Sequence, residues 1–323
     1  MFCWASSASP PAERTAFHNL FTGFAGTRRT FGSMAHSDPT DRLGLNVPYE
    51  WWPAAPLLKE FEAAGFRFVQ VPSPPASVLS TPRELIKHAF AVSDALATAG
   101  LRPILHGPGD LRAGTRGGDR ALEGLISYAA EVGATHVVYH AANLPDEPAS
   151  EDARLAETRA LAELARRAER LGVIIALENL APVYPDPSER LSFTPLLLRT
   201  MAKRISSPAV GLCIDIGHAN IVAGLRHTDP LELIEPALDR AVLFHLHDNL
   251  GARRGDAGSP ELDPLRLDLH LPPGRGTVPW RRLAPLLARK RGAPLILEVH
   301  PPRPSARRGR NRLGGRTFQN SCG

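Results

Sequence analysis

Six residues able to hold a cation or move a proton recur at one kind of position. His106, His140, Glu178, Asp215, His245 and Glu298 each interrupt the downstream end of a short apolar run. Carboxylate and imidazole are the common protein ligands of zinc- and manganese-like ions. Carboxylates converging on a dry site need a cation, because an uncompensated buried charge is expensive. The stretch "GLCIDIGHAN" adds His218 three residues after Asp215. That pair alone would suit a helix cap and a turn histidine; its repetition over consecutive runs points to a shared site. "RLDLHLPPGRGTVPW" contributes Asp268 and His270, two apart, so that an extended backbone points both to one side. His247 shares the phase of His245 and is expected to line the same mouth, as a substrate contact or as a donor that steadies a ligand. Cys213 is expected to face inward as a small core thiol.

The elements that must position these residues are legible as well. Eight β-like runs, at 43–48, 66–71, 102–107, 135–141, 173–179, 210–218, 241–249 and 294–300, are nearly continuous in apolar residues, as strands buried on both faces are. Helical patterns separate them, at 53–65, 81–100, 119–133, 150–172, 194–204, 229–239 and 279–291. Thr81 and Ser150 read as N-caps, and Gly65 and Gly100 as stops. Strand–helix alternation of this length predicts an α/β fold, a single-domain (β/α)₈ TIM barrel over residues 41–300, whose downstream strand ends converge on one face. An open doubly wound sheet is the competing architecture, but no glycine-rich phosphate turn follows the first strand. After the eighth run the pattern fails, so a regular eighth outer helix is not expected. Residues 1–40, with Met34 as an alternative start, read as a disordered leader, and the Arg-, Gly- and Pro-rich residues 301–323 as a disordered tail.

Composition narrows the class of partner. The 323 residues carry a formal charge of +5. Six arginines without an acid fall in 301–323, and the first forty residues hold +1, leaving the barrel region at −2. That net charge gives no support for a face built to grip a phosphate backbone, which makes nucleic acid the less expected partner. No apolar run is long enough to span a bilayer. Three cysteines, two near the termini, indicate neither a disulfide framework nor a cysteine metal knuckle, and a cytoplasmic location is expected. Nothing in the sequence bears on oligomeric state.

"LENL", "CIDIGHA", "FHLHDN", "DLHLPPGRGTVPW" and "LILEVH", in this order and spacing, resemble the xylose isomerase-like TIM barrels, over roughly residues 43–300. That superfamily includes sugar-phosphate isomerases and epimerases as well as endonuclease IV. The resemblance implies a divalent metal, zinc or manganese, held by Glu178, Asp215, His245 and Glu298. By the endonuclease branch it implies up to two further ions: one on His106, His140 and Glu178, the other on His218, Asp268 and His270. The activity implied first is a sugar or sugar-phosphate isomerase or epimerase working through a metal-stabilised enediolate. Glu178 and Glu298 would serve as proton carriers, and His218 would orient a hydroxyl. Arg275 would bind a hydroxyl or phosphate, and Trp51 would stack on a sugar face beside Trp52. The alternatives are a metal-dependent phosphodiesterase acting on abasic DNA and a barrel that binds metal or ligand without catalysis.

Overall fold

A computed structural model of the chain describes residues 39–47, 52, 55–182, 189–252 and 268–299. Most of the expected leader and the whole of the expected tail lie outside these residues, as does Trp51. Eight parallel strands close into a barrel in chain order. They are β1 Leu43–Asn46, β2 Phe68–Pro72, β3 Arg102–His106, β4 His136–Tyr139, β5 Ile174–Glu178, β6 Val210–Asp215, β7 Ala241–Leu246 and β8 Leu295–Leu297. Closure runs through the pairs Leu43↔Leu295, Gly44↔Ile296 and Leu45↔Leu297.

The period-two geometry of a strand sorts the side chains. Phe68, Ile104, Val138, Ala176, Cys213, Leu243 and Ile296 form one buried apolar cluster inside the barrel. Gly44 belongs to the same floor, since a Cβ there would press on Phe68 and Ile296. Their neighbours in the strands, such as Val69, Leu105, Val137, Leu177, Ile214 and Phe244, face outward into the larger core shared with the helices. Two residues downstream of the floor, on the inward face again, stand Asn46, Gln70, His106, His140, Glu178, Asp215, His245 and Glu298. One polar residue per strand therefore crowns an apolar plug.

The outer layer consists of α1 Ala55–Ala63, α2 Ala76–Leu79, α3 Pro82–Leu96, α4 Arg116–Glu131, α5 Glu151–Leu171, α6 Pro195–Ile205, α7 Ile216–Arg226, α8 Pro230–Ile234 and α9 Trp280–Arg289. No helix follows β8 among the described residues, and none of the described helices is long and apolar enough to cross a membrane. Several boundaries differ from the sequence pattern. Thr81 occupies the N-cap of α3, but its hydroxyl donates to Ser77 O instead of capping, and the helix ends at Leu96, before Gly100. Ser150 precedes α5 without a side-chain cap bond, and Gly172, at φ 69°, closes that helix. The run read as strand through His218 stops at Asp215, and α7 begins at once. This helix escaped the periodicity argument because Ile216, Gly217, Ala219, Asn220, Ile221, Val222 and Ala223 are all buried. A helix enclosed on every side has no polar stripe to betray it.

His136, at the start of β4, is buried against Thr135 Oγ1, and burial pushes its imidazole down to about 4. The unfolded chain takes up this proton near pH 6.5, before the folded chain does. Stability is therefore lost as pH falls from about 6.5 to 4 and levels off below. The shift corresponds to about 3 kcal/mol. Urea midpoints of native protein and His136→Asn, compared at pH 7.5 and 4.5, should show the native chain losing more stability on acidification. Equal losses would mean that the His136 site admits the proton.

Candidate metal centre

Glu178 is the hub. It ends β5 at 1% exposure, and four imidazoles surround its carboxylate. His245 Nδ1 lies 2.8 Å from Oε1, while His140 Nε2 and His106 Nε2 lie 3.2 and 3.4 Å from Oε2. His218 Nδ1 is 3.9 Å from Oε1. His245 Nδ1 also approaches Glu298 Oε1 at 3.4 Å and Asp215 Oδ2 at 3.6 Å. Ligand atoms of Glu178, Asp215, His245 and Glu298 all fall within 4.8 Å of one another, as do those of His106, His140 and Glu178.

Asp215 does two jobs with two oxygens. It is the N-cap of α7: Oδ1 accepts from His218 N at 2.7 Å, and also from His247 Nε2 at 3.1 Å. Its Oδ2 is buried without a hydrogen-bond donor. The cap and the metal-ligand readings of "DIGH" are thus compatible, because one carboxylate serves both. Gly217 is required here, since a Cβ would collide with the His247 ring.

A second group lies toward the loop after β7. His270 Nε2 sits 2.8 Å from Asp268 Oδ2, His218 Nε2 3.5 Å from the same oxygen, and His247 Nε2 3.5 Å from Asp268 Oδ1. The loop is pinned by Asp248, which is fully buried. Its carboxylate accepts from Gly274 N, Val278 N and Trp280 Nε1 at 2.9, 3.1 and 2.9 Å, and its backbone bridges to Leu271 in both directions. Gly276 packs so closely on Asp248 and Asn249 that a side chain there would strike both. The "HDN" and "PPGRGTVPW" stretches are two halves of one clamp.

Backbone carbonyls orient three of the histidines. The Nδ1–H groups of His106, His218 and His270 donate to Gly107 O, Asn179 O and Glu298 O at 2.9, 2.9 and 2.6 Å, which turns each Nε2 toward a carboxylate. Behind His140, the buried Glu157 accepts from Tyr139 Oη and Ala142 N at 2.7 and 2.9 Å and braces the turn after β4. Electrostatics follow from this crowding. Burial favours the neutral form of Glu178, but His245, His106 and His140 outweigh it and hold the carboxyl well below the usual range. Burial likewise opposes the charge on His218, but Asp215 and Asp268 carry its imidazole well above the usual value. His270 is lifted to about 9 by Asp268 against the effect of burial.

These residues fit a divalent cation. Glu178 Oε2 and Asp215 Oδ2 are buried oxygens without a hydrogen-bond donor, inside a set of carboxylates and imidazoles whose lone pairs converge. A cation held there would have to displace the protons that the carboxylates favour on His218, His245 and His270.

A cleft of about 480 Å³ opens over one side of the ring, lined by Asn46, Val47, Pro72, Ser73, Pro75, His106, Gly107, Pro108 and Glu298. Glu298 is thus both a corner of the tetrad and a wall of the cleft. His247, expected at the mouth as a substrate contact or a donor, is fully buried, stacked on His270 at 4.2 Å and 12°, and its Nε2 lies 3.1 Å from Asp215 Oδ1. Arg275 stands exposed on the loop and outside the cleft lining. Trp52 packs on the core. Sequence reasoning missed Gln70, Asn46 and Asp248. The available signals were a lone glutamine inside the apolar "FRFVQV" and an acid set between His247 and Asn249.

Comparison with known proteins places this geometry among others. A family model described as xylose isomerase-like TIM barrel matches residues 58–314. An uncharacterized protein, MJ1311 of Methanocaldococcus jannaschii, is 32% identical over 136 residues, covering 41% of this chain and 42% of that protein, so the match spans less than half of the relative. A D-tagatose 3-epimerase-like protein superposes with a TM-score of 0.56 at 21% identity, over 80% of this chain and 90% of that one. The TTHB071 protein of Thermus thermophilus, from a crystal soaked with ZnCl2, gives 0.55 at 23% identity, over 80% and 92%.

Proposed function

Since this chain belongs to the xylose isomerase-like TIM barrel family, we propose that it is a divalent-metal-dependent isomerase or epimerase of a sugar or sugar phosphate. The observation that carries this reading is the double position of Glu298, whose carboxylate belongs to the tetrad and to the cleft wall at once. A sugar in the cleft would meet a base and the cation site together. When bound, a zinc- or manganese-like ion supplies a Lewis acid that lowers the cost of negative charge on the substrate's carbonyl oxygen. Glu178, Asp215, His245 and Glu298 would hold it. The cluster of His106, His140 and Glu178 and that of His247, Asp268 and His270, with His218 3.5 Å from Asp268, could accept up to two more ions. Glu298 would remove the proton alpha to the carbonyl, leaving an enediolate; Glu178, ionised in the free site, would first have to take a proton from a neighbouring imidazole before returning one to carbon. His218 orients a hydroxyl from the first turn of α7. The name of the D-tagatose 3-epimerase-like relative supports the substrate class.

One observation favours a second reading. The candidate ligands fall into touching groups that would suit several ions, as a phosphodiesterase acting on abasic DNA would use them. A single experiment separates the two. Zinc- or manganese-loaded protein is incubated in D2O with a panel of ketoses and ketose phosphates, and in parallel with an oligonucleotide bearing an abasic site. Deuterium entering the carbon alpha to the carbonyl supports the isomerase. Strand cleavage with no exchange into any sugar overturns it in favour of the phosphodiesterase.

A further inference from the structure

Gln70 lies at the centre of an arrangement that neither residue type nor spacing reveals. It stands on β2, fully buried, level in phase with Asn46 on β1. Its Oε1 is 2.8 Å from His245 Nε2, and its Nε2 is 2.5 Å from Glu298 Oε1 and 3.3 Å from Asn46 Oδ1. Only one orientation of this amide satisfies every partner. A carboxylate accepts, so the NH₂ end must face Glu298 and the carbonyl end must face His245. The carbonyl in turn demands a hydrogen on His245 Nε2. The remaining ring nitrogen, Nδ1, is the one turned toward Glu178, Glu298 and Asp215.

We infer that Gln70 is the positioning residue of the tetrad: it selects the Nε2–H form of His245, so that Nδ1 presents its lone pair to a cation, and it fixes Glu298 through the same amide. The contrast with the other histidines gives this weight. His106, His218 and His270 have their orientation imposed by backbone carbonyls, which no substitution removes. His245 is oriented by a side chain from a strand that contributes no ligand of its own, so its orientation can be lost by mutation. Gln70 also ties two corners of the tetrad together, since His245 and Glu298 share one planar group. Their spacing then depends on the rigidity of an amide instead of on two independent rotamers.

The inference rests on the tetrad as a cation site, and the test reads the two separately. Protein labelled with ¹⁵N in its histidines is examined by NMR with and without zinc, and zinc affinity is measured by competition with a chromophoric chelator. Native protein should show a slowly exchanging His245 Nε2–H in both states, with zinc bound through Nδ1. Gln70→Leu, similar in size and without polar atoms, should lose the protected Nε2–H and bind zinc about 10–100-fold more weakly. Gln70→Glu keeps an acceptor beside Nε2 and should restore the protected proton, a rescue that a packing role for residue 70 would not produce. Thermal melting and amide spectra establish that each variant is folded; should the leucine variant fail to fold, the Gln70→Glu and Gln70→Met spectra make the same comparison. A protected Nε2–H with native zinc affinity in the variants lacking an acceptor would overturn the inference. Native protein that shows the Gln70-dependent proton but binds no zinc would leave the positioning role standing and defeat the cation-site reading.

Discussion

Glu298→Gln should lower turnover about 10²–10⁴-fold, the usual cost of losing a general base. The substitution keeps the shape of the side chain and one oxygen for a cation, and removes the atom that accepts a proton from carbon. Glu298 is 6% exposed and reaches the cleft, whereas Glu178 is at 1% and walled in by imidazoles. Of the two glutamates, Glu298 has the better access to a substrate. Zinc affinity should fall but persist through Glu178, Asp215 and His245. The discriminating measurement is solvent deuterium at the substrate carbon alpha to the carbonyl, which should appear with native protein and be absent with the variant. Undiminished exchange would move the base to another residue, with Glu178 as the first to examine.

Glu178→Ala should have the widest effect of any single change. Its two oxygens serve two ligand groups, Oε2 toward His106 and His140 and Oε1 toward His245. Bound zinc, counted by elemental analysis of purified protein, should therefore fall in both, while the groups that do not include Glu178, Asp215 with His218 and His247 and His247 with Asp268 and His270, would keep their ligand sets. The metal-free protein should suffer too. Removing one member of a buried charge cluster typically costs about 3–5 kcal/mol, because its partners stay buried without compensation. Chemical denaturation of metal-free native and variant protein measures this directly. Glu178→Gln isolates the charge, since the amide fills the same space. A native metal content in the alanine variant would show that the groups do not share this carboxylate.

Much of the site is legible in the amino-acid sequence because its signals are local. A strand buried on both faces reads as an apolar run, and a carboxylate or imidazole at its end is conspicuous. Asp268 and His270 are equally visible from their spacing. The Asp215–His218 pair is more instructive. Its two readings, cap and ligand, look like alternatives in sequence, yet Asp215 Oδ1 caps α7 while Oδ2 stays bare. Helix α7 itself is hidden because burial on all sides removes the amphipathic period on which recognition depends.

The sequence by itself determined the eightfold alternation, the closed α/β barrel it implies, and the ligand types crowning β3 to β8. These follow from the period-two burial of strands and from ligand chemistry, both encoded within a few residues. Only the tertiary structure decided which polar groups act on those ligands. Gln70 meets His245 across 175 positions and Glu298 across 228. Asp248 reaches Trp280 across 32, and His247, in phase with His245, is turned under His270 and away from the cleft. Such contacts exist only once the barrel has closed and β8 lies beside β1. A hydrogen bond depends on the distance and direction between two groups, and no local pattern in the chain specifies either for residues so far apart.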